Sequence, residues 1–198
     1  MAAESVNHGR RRFLTASTAV VGGVGTAFAA VPFIAAWFPS AKAVAAGAPV
    51  AADISKLEVG AQLVVAWRGR PIFIVRRSPE MLATLDGEKD RLKDPDSSVP
   101  EQQPEFAKNA HRSLKPDILV LVGSCTHLGC SPKLHTEVRA EPWDAQWKGG
   151  YHCPCHNSRF DLAGRVYEGS PAPTNLVVPP YRFDGDARVI IGESEGAT

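Results

Sequence analysis

An apolar run near the N-terminus contrasts with the rest of the chain. No charged residue occurs from Phe13 to Ala41. The stretch 13–38 would extend about 39 Å as a helix at about 1.5 Å per residue, and a bilayer core needs about 20 apolar residues. Its glycines and its proline are unfavourable in a soluble helix but are tolerated in membranes. The pattern therefore predicts a single transmembrane helix.

Three arginines, Arg10 to Arg12, precede this run. Because positive residues stay inside, they predict a cytoplasmic N-terminus over residues 1–12 and a periplasmic location for the rest of the chain. Followed by Phe13 and Leu14, they also resemble a bacterial twin-arginine signal, which exports folded proteins. A cleaved signal peptide is the alternative, with small-residue sites at 41–45. An uncleaved anchor is favoured because a signal core has only about 7–15 apolar residues.

Residues 39–52 are small and rich in alanine, and Gly47 and Pro49 interrupt them. This composition predicts a linker of modest stiffness. A fraying end of the membrane helix fits the same residues, since alanine-rich segments change between helix and extended chain at small cost. We expect a flexible hinge that joins the anchor to a domain over residues 53–198.

Beyond residue 53 the apolar runs have the length of β-strands. Runs 61–67 and 71–76 flank Arg68-Gly69-Arg70 and predict a hairpin, and the wholly apolar run 118–122 predicts a buried strand. Further short strands are predicted at 160–161, 165–167, 177–178, 181–183 and 188–191. A turn at 184–186 joins the last two strands. The domain is predicted to be antiparallel β.

The polar segment 78–116 contains several prolines and little strand pattern. It predicts short helices near 79–85 and 104–110. We interpret the segment as packing around the β domain rather than as a site.

The charged residues, 22 Lys and Arg against 21 Asp and Glu, are nearly balanced. The chain therefore lacks the excess of basic residues that is typical of nucleic-acid-binding proteins. Four cysteines lie within residues 125–155. A disulfide-stapled mini-protein would spread more cysteines over fewer residues, whereas cysteines clustered with histidines indicate a metal site.

Two loops contain this cluster, Cys125-Thr126-His127-Leu128-Gly129-Cys130 and Cys153-Pro154-Cys155-His156-Asn157-Ser158. Each offers a thiolate and an imidazole within a few residues. Neither is the Cys-x-x-Cys knuckle that zinc ribbons usually pair. A zinc-binding module without a redox role remains an alternative of another class.

The two loops, together with the proline-rich segment 169–176, resemble the cluster-binding segments of the Rieske iron–sulfur family. The similarity is greatest to the iron–sulfur subunits of bacterial quinol:cytochrome c oxidoreductases and extends from about Arg10 to Ile191. It implies an all-β Rieske domain, an antiparallel β-sandwich with a small cluster-binding subdomain within about 123–175. One N-terminal transmembrane helix would precede this domain.

The resemblance implies one 2Fe–2S cluster. Cys125 and Cys153 would bind the buried iron, and His127 and His156 would bind the outer iron. Two imidazoles in place of two thiolates leave the oxidised cluster neutral, which raises its reduction potential. His127 and His156 would also be the catalytic residues, since their free ring nitrogens can exchange protons as the cluster changes charge.

The remaining cysteines have a different implied role. Cys130 and Cys155 would form a disulfide between the two loops, which the periplasm permits. Rieske domains of oxygenases generally lack this pair. Ser158 would donate a hydrogen bond to a bridging sulfide, and a local role within its own loop is the alternative.

The implied function is an enzyme subunit that is active within a homodimeric membrane complex. It would accept one electron from ubiquinol at a cytochrome b subunit and pass it to a cytochrome c-type haem subunit, with coupled proton release. It would lie in the bacterial inner membrane with its cluster domain in the periplasm. The nearest alternative is the Rieske subunit of an arsenite oxidase, fed by a molybdenum enzyme.

Two positions depart from the family pattern. Many relatives have tyrosine where this chain has Phe160, and in them the hydroxyl donates to a ligand cysteine sulfur. At Asn157 relatives often have glycine, which raises the alternative that the loop is reshaped here.

The other histidines, and the tryptophans between the two loops, are predicted to have structural roles rather than roles in the site. His152 lies beside Cys153 but breaks the ligand spacing, which predicts a solvated loop residue. His111 and His135 are predicted to be surface or satisfied polar groups. Trp143 and Trp147 are predicted to be core residues.

Overall fold

The computed structural model describes residues 7–194, except for the side chains of Lys42 and Ala46. The chain divides into two compact units between Ala45 and Ala46. Residues 1–6 of the predicted cytoplasmic segment and the last four residues of the predicted domain lie outside the described residues.

The first unit contains a long helix, α1 (His8–Ala35). Its side chains are exposed, and within the described residues it is the one helix that is long and apolar enough to cross a membrane. The helix starts before the apolar run because Asn7 caps it, with the Asn7 side chain accepting the Arg10 N–H. The predicted N-terminal apolar helix is confirmed, and a short helix, α2 (Ala41–Gly47), occupies part of the predicted linker.

The second unit is built from antiparallel strands. In chain order they are β1 (Val50–Asp53), β2 (Gln62–Trp67), β3 (Arg70–Arg76), β4 (Ile118–Val122), β5 (Lys133–His135), β6 (Gly150–Cys153), β7 (Ser158–Phe160), β8 (Tyr181–Asp184) and β9 (Arg188–Ile191). They form three small sheets with strand orders β1-β9-β8, β2-β3-β4 and β5-β6-β7. The predicted all-β fold is confirmed, and β1 begins inside the predicted linker.

The sheet β2-β3-β4 forms the centre of the core. Every residue of β4 is buried, as are four consecutive residues of β3, because both faces of these strands are covered. The predicted hairpin is present, since Trp67 pairs with Arg70 across a two-residue turn. Arg68 and Gly69 both have positive φ in this turn, as the tightest hairpins require.

The segment 78–116 contains one short α-helix, α3 (Pro79–Ala83), which Ser78 caps. The predicted helix near 104–110 is a single 3₁₀ turn over Glu105–Ala107. The predicted strands at 165–167 and 177–178 are wrong, because isolated bridges and single backbone hydrogen bonds replace a ladder there. Strands β1, β5 and β6 were not predicted.

Three buried arginines connect this segment to the strands. The guanidinium of Arg77 donates to the carbonyls of His111, Pro116 and Leu162. Arg112 donates to the carbonyls of Ala163, Gly164 and Leu176. Arg165 pairs with Asp161 at 2.7 Å and donates to the carbonyls of Leu85 and Pro95.

We predict that Asp161→Ala destabilises the protein strongly, because it leaves the Arg165 guanidinium buried without its carboxylate. Breaking such a pair costs about 3 kcal/mol or more, which corresponds to a loss of roughly 6–12 °C in apparent Tm for a domain of this size. Thermal unfolding of the full chain in detergent, followed by circular dichroism, measures the effect.

Asp186→Ala is the matched control, since Asp186 also pairs with a cation, Lys115, but its side chain is 98% exposed. Exposed pairs contribute little, so its apparent Tm should stay at the wild-type value. Equal apparent Tm values for the two variants would contradict a structural role for the buried pair.

Candidate iron–sulfur site

The first cysteine-containing loop follows β4 directly. Cys125 is buried, with 3% of its surface exposed. Its N–H donates to the carbonyl of Cys130 at 2.8 Å, and its carbonyl accepts the N–H of Gly129 at 2.9 Å. Gly129 has a φ of +82°, a conformation that glycine adopts without strain. The loop is therefore closed on itself by its own backbone, with His127 and Leu128 at its tip.

The second loop is the connection of the β6–β7 hairpin. Cys153 pairs with Ser158 across the strands, so the residues between them form a four-residue loop. Asn157 ends this loop in the left-handed region, with a φ of +61°. Asparagine tolerates that region better than most residues other than glycine. The hairpin turn that a glycine would allow is therefore retained.

The two loops meet through their cysteines. Cys130 and Cys155 form the predicted disulfide, so that pairing is confirmed. Cys125 and Cys153 are free and buried. Although the sulfurs of Cys130, Cys153 and Cys155 lie within 4.8 Å of one another, the two disulfide sulfurs have no thiolate to offer a metal. The available thiol ligands of this cluster are Cys125 and Cys153.

Two opposing influences act on the charge of the Cys153 sulfur. Burial raises the pKa of its thiol, while the backbone N–H groups of Cys155 and His156 act in the opposite direction. Peptide N–H donors stabilise a thiolate more than a thiol. These two donors are therefore placed to stabilise the charge of a metal-bound sulfur.

The two histidines lie together on the outer side of the loops. The rings of His127 and His156 are perpendicular, with centroids 4.7 Å apart. His156 is exposed and His127 is half-buried, and the adjacent Leu128 has 71% of its surface exposed. Two buried thiols beside two surface imidazoles match the donor set of a Rieske 2Fe–2S cluster, so the residues present fit that cofactor.

The proline-rich segment 169–176 supports both loops. The Thr126 hydroxyl donates to the carbonyl of Thr174 at 2.7 Å, and the Ser158 hydroxyl oxygen accepts the N–H of Ala172 at 3.1 Å. Ser158 therefore joins its loop to the proline-rich segment, rather than serving only within its own loop. A bond from its hydroxyl hydrogen to a sulfide remains a prediction.

The interpretation of His152 as a solvated loop residue is wrong. His152 lies in β6 and is half-buried, and its ring stacks on Trp143 with centroids 4.2 Å apart and an angle of 5°. Strand alternation was the available signal, since residue 152 must face away from Tyr151 and Cys153. Trp147 is a core residue as predicted, packed with Leu92 and Tyr167.

His111 and His135 are both half-buried. Burial lowers the pKa of each imidazole. His135 lies in β5 with its ring against Trp143 and Trp147. It thus belongs to the aromatic packing beside the second loop rather than to the surface.

Comparison with known families agrees with this donor set. The family model described as "Rieske [2Fe-2S] domain" matches residues 48–182. Residues 1–40 match the model described as "Ubiquitinol-cytochrome C reductase Fe-S subunit TAT signal". Fold and site thus define a Rieske protein, whose cofactor is a 2Fe–2S cluster.

Individual relatives show to which group of Rieske proteins this chain belongs. The ubiquinol-cytochrome c reductase iron-sulfur subunit of Allochromatium vinosum is 56% identical over 197 residues, covering 100% of this chain and 95% of that protein. Its counterpart in Blastochloris viridis is 42% identical over 184 residues, 92% of each chain. A solved structure, "Hyperthermophilic respiratory Complex III", matches with a TM-score of 0.47 and 24% identity, covering 89% of this chain and 98% of that one. The chain belongs to the Rieske iron–sulfur subunits of ubiquinol–cytochrome c reductase, an oxidoreductase complex.

We predict that Cys130→Ala weakens cluster retention without removing a ligand. The disulfide closes a loop with a sequence separation of 25 residues, for which chain entropy gives about 3.5 kcal/mol. Iron content after purification, and the rate at which the visible absorption fades on warming, measure the loss. Cys155→Ala breaks the same bond and should behave alike, so full retention in both variants would contradict the bridging role.

We also predict that Phe160→Tyr raises the midpoint potential. Phe160 is fully buried in the same apolar cluster as Cys125 and Cys153, and a hydroxyl there would donate to a cysteine sulfur. Such a bond stabilises the reduced, more negative cluster. Since about 59 mV corresponds to about 1.4 kcal/mol for one electron, we expect a rise of some tens of millivolts by protein-film voltammetry.

Ser158→Ala is the companion variant and should lower the potential, because it removes a donor. A potential that is unchanged or lower in Phe160→Tyr would mean that the added hydroxyl does not reach sulfur. The role that tyrosine has in relatives would then not apply to position 160.

Proposed function

We propose that this protein takes one electron at a time from ubiquinol, bound at a cytochrome b subunit, and delivers it to a cytochrome c-type haem subunit. The observation that carries the proposal is the pair of adjacent histidine rings, His127 and His156, in the same two loops that contain the two buried free cysteines. Electron acceptor and proton acceptor are then adjacent, as the oxidation of a hydroquinone requires. The names of the relatives, quinol–cytochrome c reductase subunits, favour this function over arsenite oxidase.

The proposed ligands are Cys125 and Cys153 for the inner iron and His127 and His156 for the outer iron. When bound in this way, a 2Fe–2S cluster supplies a one-electron acceptor of zero net charge in its oxidised form. The buried position of the two cysteines excludes water from the thiolate side. The disulfide holds the loops together on the same side.

Proton transfer is assigned to the ring nitrogen of His156 that would not bind iron. His156 is the more exposed of the two imidazoles, so a quinol hydroxyl can approach this nitrogen and donate a hydrogen bond to it. His156 would accept the proton of the quinol hydroxyl while a bound cluster would take the electron, which couples the two transfers. His127 is half-buried and serves mainly to complete the ligand set.

Leu128 supplies apolar contact at the same tip. It is strongly exposed and directly follows His127 in the chain, so a partner that covers the histidines would also cover this side chain. Burial of one leucine side chain provides about 1.5–3 kcal/mol. We assign this contact to the quinol-binding face of the cytochrome b subunit.

The proposed placement in the cell follows from the N-terminus. Helix α1 anchors the protein in the bacterial inner membrane, the arginines before it remain cytoplasmic, and the cluster domain faces the periplasm. Residues 39–49 act as the hinge on which the domain moves between the two redox partners within a homodimeric complex, since residues 50–52 of the predicted linker are paired in β1. Helix α2, the short alanine-rich helix inside this linker, is short enough to lengthen or unwind at small cost.

The proposal predicts that anaerobic addition of ubiquinol to native membranes produces the spin-resonance signal of the reduced cluster. Leu128→Asp should keep that signal when dithionite is the reductant, because no ligand changes. It should lower ubiquinol:cytochrome c turnover about tenfold or more, since a charge replaces the apolar contact.

Val59→Asp is the matched control, because Val59 is also an exposed apolar residue and lies in the connection between β1 and β2. Its turnover should equal that of wild type. A cluster that dithionite reduces but ubiquinol does not would contradict the proposed donor. Normal turnover in Leu128→Asp would contradict the proposed contact.

A further inference from the structure

The loop that contains His156 has a tether that is independent of the disulfide. The Nε2 of His152 donates to the side-chain oxygen of Asn157 at 2.9 Å. Asn157 directly follows His156 and ends the hairpin loop with a φ of +61°. The bond therefore joins the strand that leads into the loop to the residue at which the loop turns back.

His152 is itself fixed by an aromatic stack. Its ring lies parallel to Trp143 at 4.2 Å, and Trp143 packs edge-on against His135 and Trp147 at 5.2 and 6.4 Å. Trp147 is buried. A continuous series of contacts thus extends from the core to Asn157.

Trp143 is held by its own neighbours in the segment 141–147. The carboxylate of Asp144 accepts from Arg91 at 2.6 Å and from Arg159 at 2.9 Å. Glu141 and Asp144 also exchange two backbone hydrogen bonds. Asp144 has little exposed side chain, so these charged bonds are screened less by solvent than surface pairs. The stack therefore rests on a rigid support.

We propose that Trp143 and His152 are positioning residues that, through Asn157, orient the imidazole of His156. This inference rests on the proposed ligand role of His156. Cys155, which precedes His156, is held by the disulfide. Ser158, two residues after His156, is held by its bond to the Ala172 N–H. Asn157 is the remaining residue whose backbone rotation would swing the His156 ring, and its side chain is tied to His152.

The physical reason lies in the left-handed conformation of Asn157. A residue other than glycine adopts that region at some cost, and the bond to His152 offsets this cost while restricting rotation. Glycine at 157 would fit the same φ but would have no side chain to anchor. Asparagine and glycine at position 157 therefore give the same average loop conformation, but asparagine restricts its motion more tightly.

The test compares Asn157→Gly, His152→Phe and the double variant in the full chain, assembled in native membranes. His152→Phe keeps a ring to stack on Trp143 and removes the donor. Asn157 is exposed and glycine accepts positive φ, so Asn157→Gly does not threaten folding. Either single variant should broaden the spin-resonance lines of the dithionite-reduced cluster.

Each single variant should also shorten the lifetime of the oxidised cluster on warming about fivefold, the factor that corresponds to one neutral hydrogen bond of about 1 kcal/mol. Because both changes remove the same bond, the double variant should be no worse than either single one. The matched control is His111→Phe, the same substitution at a half-buried histidine outside the loops, and it should match wild type.

Wild-type line shape and lifetime in both single variants would overturn the inference, as would losses that add in the double variant. These readouts need neither quinol nor turnover, so they are independent of the electron donor. A wild-type protein without any Rieske signal would overturn the proposed function as well, whereas a normal wild-type signal with unaffected variants would overturn only the positioning role.

Discussion

The buried segment Asp161–Arg165 is the constraint on which the cluster loops depend. Arg77 binds the carbonyl of Leu162, and Arg112 binds those of Ala163 and Gly164. The segment's own ends pair with each other. A planar guanidinium offers five donors in a fixed fork, so each arginine satisfies several buried carbonyls that would otherwise cost free energy.

Burial lowers the pKa of Arg77 and Arg112 to about 10, so both stay protonated near neutral pH and keep all their donors. Because the segment follows β7 directly, the second cluster loop takes its position from these bonds.

From the buried segment 161–165 toward the tips of the two cysteine-containing loops, the residues become more polar and more exposed. Cys153 ends β6 and Cys125 lies in the loop after β4, and both belong to the hydrophobic core, whereas His156 is exposed. A site with this gradient separates two tasks. Thiolates held in a dry, rigid surrounding favour a fixed geometry for electron transfer, and an imidazole in contact with the surface can exchange protons and meet a partner. The segment 169–176 holds the two loops in register through Thr126 and Ser158, so exposure at the tip does not loosen the ligands behind it.

The parts of this fold that the sequence predicts are those with local signals. The hairpin β2–β3 and the strand β4 follow from apolar runs and a turn, and the disulfide follows from the family resemblance. Strand β6 was missed because it begins at Gly150, a residue unfavourable in strands, and glycine is needed there since a Cβ would overlap the carbonyl of Phe160. The role of the segment 78–116 cannot be predicted from the sequence. Its bonds join side chains to backbone carbonyls far along the chain, and such bonds leave no periodic pattern. The Trp143–His152 stack is hidden for the same reason, since only the folded sheet brings these two rings together.

The two departures from the family pattern, one in the second loop and one in β7, act on different properties of the site. Asn157 stands where relatives often have glycine, yet it keeps the left-handed backbone and adds a side chain that His152 holds. The geometry of the ligand loop is therefore preserved and more tightly restrained. Phe160 stands where many relatives have tyrosine, and it keeps the packing of the ring while lacking a donor for sulfur. Residue 157 thus governs how tightly the loop that contains His156 is held, and residue 160 governs how well negative charge on the cluster is stabilised. Because the backbone is fixed independently by the arginines and by the disulfide, the reduction potential can change at residue 160 while the ligand positions stay the same.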